Sequence, residues 1–112
     1  MRRVVVESPY SAPTIDGIAH HIDYARACLR DCIHRGEAPI ASHLLLTQPG
    51  VLDDTDPMER DLGMAAGWAW IDRADAVVVY TDLGISSGMM DGIGHATLVG
   101  TPVEYRSVAS IP

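Results

Sequence analysis

Residues that could bind a small molecule are concentrated in three segments of the 112-residue chain. These segments are Glu7–Tyr10, His43–Asp54 and Thr81–Met90, and each combines polar side chains with Pro or Gly. Side chains of this kind could hold hydroxyl groups, a ring or an anion. The candidate ligand-binding residues within them and in the helix start that follows are Ser8, Pro9, Tyr10, His43, Asp53, Asp82, Ser86, Ser87, Gly88 and Met89.

The first and third segments suit a ligand for different reasons. In the first, Ser8 and backbone N–H groups could hold a polar group and Tyr10 could stack on a ring, although an ordinary strand-to-helix turn is the alternative. The third leads into a helix N-terminus, which favours an anion. Gly88, Gly92 and Gly94 then fall inside that helix, at a cost of about 1 kcal/mol each. Close approach of a ligand or of a packed backbone would offset this cost.

The middle segment contains a histidine and carboxylates. His43 could act as an acid or base or be structural, and Asp53 and Asp54 could bind ribose hydroxyls or a hard cation. We interpret the neighbouring Asp56 and Glu59 as capping acids of a following helix. Cys28 and Cys32 are interpreted as small hydrophobes on one helix face, so no metal and no cofactor is predicted.

Composition excludes several classes of protein. The net charge is −7 and the eight basic residues are all scattered arginines, which argues against nucleic-acid binding. No apolar run approaches the roughly 20 residues of a membrane span. No signal peptide is recognised after Met1, because Val4–Val6 runs directly into Glu7. We therefore expect a cytoplasmic protein without membrane contact.

Apolar patterning predicts strands that alternate with helices along one domain, residues 1–112. Such alternation indicates a parallel sheet of about four to five strands with helices on both faces, a three-layer α/β/α fold. Ligands of such sheets lie at the carboxyl ends of the strands, which is where the three segments fall. The predicted elements are strand Val4–Val6, helix Thr14–Arg35, strand Ala38–Ser42, loop Leu44–Asp56, helix Asp56–Arg73, strand Ala76–Tyr80, loop Thr81–Ile85, a helix from Ser86 or Ser87 to Val99, strand Val103–Tyr105 and a tail after Arg106.

Several short motifs occur along the chain in an order that indicates a protein family. Glu7-Ser8-Pro9-Tyr10-Ser11 follows the first strand, Ala74-Asp75 opens the third, and Ser87-Gly88-Met89 leads into a helix with Gly94 and Ala96. Together they resemble the nucleoside 2-deoxyribosyltransferase-like superfamily, and most closely its short phage-associated members of unknown function. Segments that also recur there resemble Ala38–His43, Leu52–Asp54 and Gly100–Tyr105, so that the resemblance extends nearly to Arg106.

The resemblance implies a flavodoxin-like or Rossmann-like sheet and cleavage of the N-glycosidic bond of a nucleoside or nucleotide. In active members a glutamate on the third helix attacks the anomeric carbon, and that position corresponds to Gly92 here. Asp91 is then the best candidate nucleophile, although one residue turns a side chain by about 100°, and Asp75 would orient the sugar. Glu7 and Asp82 are further carboxylates near the strand ends.

Two hypotheses about function follow from the resemblance. The first is a deoxyribosyltransferase or N-glycosidase, and the second is a non-catalytic protein that senses or sequesters a nucleotide. A structural oligomer subunit is a third. Trp68 and Trp70 lie two residues apart on a helix and cannot share one face. We therefore expect one indole to face a site wall or a partner chain, and we expect a homo-oligomer.

Overall fold

Strands and helices alternate along residues 1–108, the part of the chain that the computed structural model describes. The two central strands are rich in β-branched residues, and the three longer helices start at residues whose side chains accept backbone N–H groups. The elements are β1 (Arg2–Glu7), α1 (Ile15–His34), β2 (Glu37–Ile40), α2 (Ser42–Leu45), α3 (Pro57–Ile71), β3 (Ala76–Tyr80), α4 (Ser87–Val99) and β4 (Val103–Arg106).

The strands form one parallel sheet in the order β2-β1-β3-β4. The two central strands supply Val4–Val6 and Ala76–Tyr80, all buried, which explains their continuous apolar sequence. One face, with Val4, Val6, Val78 and Tyr80, packs against α1, and the other packs against α3 and α4. The predicted three-layer parallel α/β fold is confirmed.

The predicted capping roles of Asp56 and Ser86 are confirmed, Thr14 is a further cap, and Glu59 is an exception. The side chains of Thr14, Asp56 and Ser86 accept backbone N–H groups at the starts of α1, α3 and α4. The exception is Glu59, which does not complete a capping box on α3. Its Oε1 accepts a hydrogen bond from the backbone N–H of Asp53 at 2.8 Å and so fastens the preceding loop to the helix.

Two predicted boundaries around the sheet were wrong. β2 ends at Ile40, and the one-turn helix α2 starts at Ser42, the predicted strand end, and reaches into the predicted loop; it is too short to produce a helical period in the sequence. β4 extends to Arg106, one residue beyond the predicted strand, and Val108 packs against the α1 face of the core, so the prediction of a tail directly after Arg106 was wrong. Residues 109–112 lie outside the described residues.

The α1 face of the core contains the two cysteines. Cys28 and Cys32 are both fully buried and unoxidised, as expected for small hydrophobes on one helix face. Burial raises the pKa of the Cys28 thiol to about 12, so neither a thiolate nucleophile nor a metal ligand is favoured there. Within residues 1–108, no helix is both long and apolar enough to cross a bilayer.

Candidate functional site

A partly open cavity lies over the carboxyl end of β1. Its volume is about 120 Å³, and it is continuous with the surrounding solvent. Its walls come from the end of β1 and the segment after it, from α2 and the loop before α3, from one side of α3, and from the first half of α4. The titratable groups on these walls are Glu7, Tyr10, His43, Asp54, Glu59 and Arg60.

Glu7 is the last residue of β1 and carries its carboxyl group into this cavity. The side chain has no hydrogen bond or ion pair with any of the described residues. Removal from bulk water raises its pKa from the ordinary 4.5 to about 8. The carboxyl group is therefore mostly protonated at neutral pH, and it is free to bind a ligand.

The Glu7 carboxyl group lies directly against Gly92 of α4. A Cβ atom built on Gly92 would lie 2.7 Å from Cδ of Glu7 and closer still to its Oε1. Gly92 is therefore a glycine because the glutamate of β1 occupies the space of its side chain. This contact offsets the intrinsic cost of a glycine inside a helix.

Substitution of Gly92 by alanine is expected to displace the Glu7 carboxyl group without unfolding the protein. The carboxyl group is the movable end of a side chain, so the new methyl group pushes it toward open cavity water. We expect the pKa of Glu7 to fall by about one unit or more. The gain in helix propensity and the displacement should leave the free energy of unfolding within about 1 kcal/mol of wild type.

Gly94→Ala is the matched control, because nothing lies within 4 Å of a Cβ atom built there. It should stabilise the protein by about 1 kcal/mol and leave the pKa of Glu7 unchanged. Carboxyl-carbon NMR titrations and urea unfolding measure both quantities. A Gly92→Ala protein that keeps the Glu7 pKa at about 8 would contradict the geometry.

A hydroxyl–imidazole pair lies next to Glu7. Ser8 Oγ and His43 Nε2 are 2.7 Å apart, and Ser8 is only 4% exposed. Desolvation lowers the pKa of His43 to about 4, so the ring is neutral at physiological pH and has one N–H donor and one acceptor nitrogen. The pair thus offers a sugar hydroxyl both a donor and an acceptor.

Aromatic and charged side chains form the remaining walls. Trp68 is stacked on His95 with a centroid distance of 5.0 Å, and His95 Nε2 lies 2.7 Å from Asp72 Oδ1. The indole is thus fixed in orientation where it borders the cavity. Arg60 Nη1 lies 3.2 Å from Asp54 Oδ2, so these two wall charges neutralise each other.

The structure brings only part of the predicted ligand-binding set to the cavity. Ser8, Tyr10, His43, Gly88 and Met89 line it. The others lie outside its lining. Pro9 is buried beside it, Ser86 caps α4, Ser87 is exposed, Asp53 faces a shallow groove at the loop before α3, and Asp82 receives hydrogen bonds from Tyr24 and Val108.

Neither predicted catalytic aspartate reaches the cavity. Asp91 is exposed on α4, because its side chain projects from a different side of the helix than Gly92. Asp75 lies just before β3, at the opposite edge of the sheet, where its Oδ2 accepts the backbone N–H of Arg3 at 2.7 Å. Position therefore argues against a catalytic role for both. The sequence signal for Glu7 was only its place at a strand end.

The wall supplied by α3 was largely missed from the sequence. Gly63, Met64 and Gly67 border the cavity together with Trp68, while Trp70 is 52% exposed. The expectation that one indole faces a site wall fits Trp68. A helix period locates one face of α3, but it does not tell whether that face meets the core or a cavity.

Fold and cavity position define this chain as a flavodoxin-like α/β protein with a cavity at the carboxyl edge of its parallel sheet, where such folds bind ligands. Residues 2–106 match a family described as "Domain of unknown function (DUF7768)", and the chain belongs to that family. No curated protein matches the chain significantly.

Among solved structures, the chain is similar to a 2-deoxyribosyltransferase from the psychrotolerant bacterium Bacillus psychrosaccharolyticus, described as a biocatalyst for nucleoside synthesis. The TM-score is 0.62 at 18% sequence identity, and the match covers 98% of this chain and 75% of the other. At this identity the similarity shows a shared fold.

Proposed function

We propose that this protein is an enzyme that processes the N-glycosidic bond of a nucleoside or nucleotide, by deoxyribosyl transfer or by hydrolysis. The observation that supports it is the unpartnered Glu7 carboxyl group in the cavity at the carboxyl edge of the sheet. Cleavage of a glycosidic bond passes through an oxocarbenium-like state, which a nearby carboxylate stabilises or traps. The similarity in fold to a 2-deoxyribosyltransferase adds support.

The other groups of the cavity suit the two halves of such a ligand. The Ser8–His43 pair can bind a sugar hydroxyl beside Glu7, because both side chains are neutral and already aligned. Tyr10 and the fixed indole of Trp68 offer apolar surfaces to a base.

The half-exposed indole of Trp70 supports a homo-oligomer.

A second candidate function is the binding of a nucleotide without turnover. Glycine at position 92 and the location of Asp91 and Asp75 outside the cavity favour it. In that case the Glu7 carboxyl group would donate a hydrogen bond to the ligand instead of reacting with it.

The test is incubation of the purified chain with 2′-deoxyribonucleosides, ribonucleosides and their 5′-monophosphates, with and without a second free base. We expect release or exchange of the base from at least one compound, measured by chromatography, together with a rise in melting temperature. A rise in melting temperature without base release would establish the binding function. The absence of both effects for every compound would contradict both functions.

A further inference from the structure

We propose that Glu7 is the nucleophile of this site. The absence of a side chain at Gly92 leaves room for its carboxyl group, so that the reacting carboxylate belongs to β1 and not to α4. This assignment rests on the proposed function. It concerns which residue forms the covalent bond to the sugar, and it gives Gly92 a defined role in that reaction.

The first argument is steric exclusion. The space where a side chain at position 92 would begin is filled by the Glu7 carboxyl group. A carboxylate from β1 and a side chain from α4 therefore compete for the same part of the cavity wall. The glycine does not mark a lost functional group, because a carboxyl group is present at that place and comes from another element.

The second argument is that the remaining carboxylates near the cavity are engaged or lie elsewhere. Asp54 is paired with Arg60, and Glu59 accepts the backbone N–H of Asp53. Asp82 is exposed and bound by Tyr24. Among the described residues that line the cavity, Glu7 is thus the carboxyl group that can react without first breaking a hydrogen bond or an ion pair.

The reaction balances with Glu7 reacting as its carboxylate, after its proton has passed to water in the open cavity. A carboxylate oxygen attacks C1′ of the sugar from the face opposite the base, while a nitrogen of the departing base takes up a proton from water. The C1′–O bond forms as the C1′–N bond breaks, and the bonding electron pair leaves with the now protonated base. Water or a second base then attacks C1′, breaks the ester, and returns a proton to Glu7.

The surroundings of Glu7 keep most of its carboxyl group neutral in the empty cavity at pH 7, because desolvation raises its pKa to about 8. The neighbouring His43 is also neutral and is hydrogen-bonded to Ser8, so it supplies no positive charge that would ionise Glu7. The ionised fraction reacts, and the positive charge that develops on the sugar stabilises the carboxylate.

The test moves the carboxylate from position 7 on β1 to position 92 on α4. With the substrate that wild type cleaves best, Glu7→Gln should reduce kcat/KM by about 1,000-fold or more, while circular dichroism shows an unchanged fold. Glu7→Ala should be equally impaired. The double variant Glu7→Ala/Gly92→Glu should regain at least about tenfold over Glu7→Ala, because the vacated space accepts a carboxylate from α4. Asp91→Asn is the control and should retain wild-type activity.

A direct readout is the residue that carries the sugar. A 2′-fluorinated arabinosyl nucleoside slows breakdown of the ester, because fluorine destabilises the oxocarbenium-like state. Peptide mass spectrometry after quenching should place the added sugar on Glu7. Wild type that releases no base from any compound would overturn the proposed function and this assignment together. Active wild type with either active Glu7→Gln or a sugar on another residue would overturn the assignment alone.

Discussion

Replacement of Glu7 by glutamine should remove a loss of stability that wild type shows between pH 6.5 and 8. The folded protein holds the Glu7 proton up to a pKa of about 8, whereas the ordinary value is 4.5. The unfolded chain has released this proton over that interval, so the free energy of unfolding falls as pH rises. One proton corresponds to about 1.4 kcal/mol per pH unit, which predicts a loss of about 2 kcal/mol across the window.

The window starts at pH 6.5 because, below this pH, His43 makes the free energy of unfolding rise with pH, which opposes the effect of Glu7. Its pKa is lowered from 6.5 to about 4 in the folded protein, so its contribution rises with pH up to about 6.5 and is constant above. Urea unfolding at both ends of the window gives the slopes for wild type and Glu7→Gln. Asp91→Asn, an exposed carboxylate on α4, should keep the wild-type slope. A Glu7→Gln protein with the wild-type slope would show that Glu7 titrates normally.

The largest loss of stability is expected for Arg106→Ala. The Arg106 guanidinium donates to Glu37 in a bidentate pair, at 2.6 Å to Oε1 and 2.5 Å to Oε2, and the two side chains are 7% and 9% exposed. Arg106 Nη1 also lies 3.9 Å from Cys32 Sγ, above the α1 face of the sheet. Removal of Arg106 leaves Glu37 with the 41% exposed Arg2, 3.2 Å away, as its ion-pair partner, and this should cost about 2–3 kcal/mol, less than a fully unpaired buried charge.

The exposed pair between Arg26 and Asp23 provides the comparison. Its atoms are 3.7 Å apart and its side chains are 70% and 78% exposed, so Arg26→Ala should change stability by about 0.5 kcal/mol or less. Addition of Glu37→Leu to Arg106→Ala should recover part of the loss, because the carboxylate that has lost its bidentate partner is then gone. Equal unfolding midpoints for Arg26→Ala and Arg106→Ala in urea would contradict this account.

The architecture was predictable because its signals are local. The runs Val4–Val6 and Ala76–Tyr80 are fully apolar as buried parallel strands require, and Asp56-Pro57 marks the start of α3. The Arg106–Glu37 pair was not predictable, since it joins β4 to β2 across two intervening strands. Propensity and periodicity describe neighbours along the chain and contain no information on such contacts.

The candidate site was predictable to the level of strand ends but not of side-chain contacts. Ser8 and His43 could be placed at neighbouring strand ends, because the carboxyl ends of parallel strands share one edge of the sheet. Their hydrogen bond and the burial of Glu7 depend on where α2 and α4 pack. Gly92, the position that the resemblance equates with a glutamate, lines the cavity, but the sequence could not show that the Glu7 carboxyl group lies against it.

Mutual exclusion between the carboxyl group of Glu7 and any side chain at position 92 also constrains how such a protein evolves. A single substitution at position 92 crowds the existing acid, and a single substitution at position 7 leaves the cavity without its unpaired carboxyl group. Transfer of this carboxyl group from β1 to α4 therefore requires two coupled substitutions.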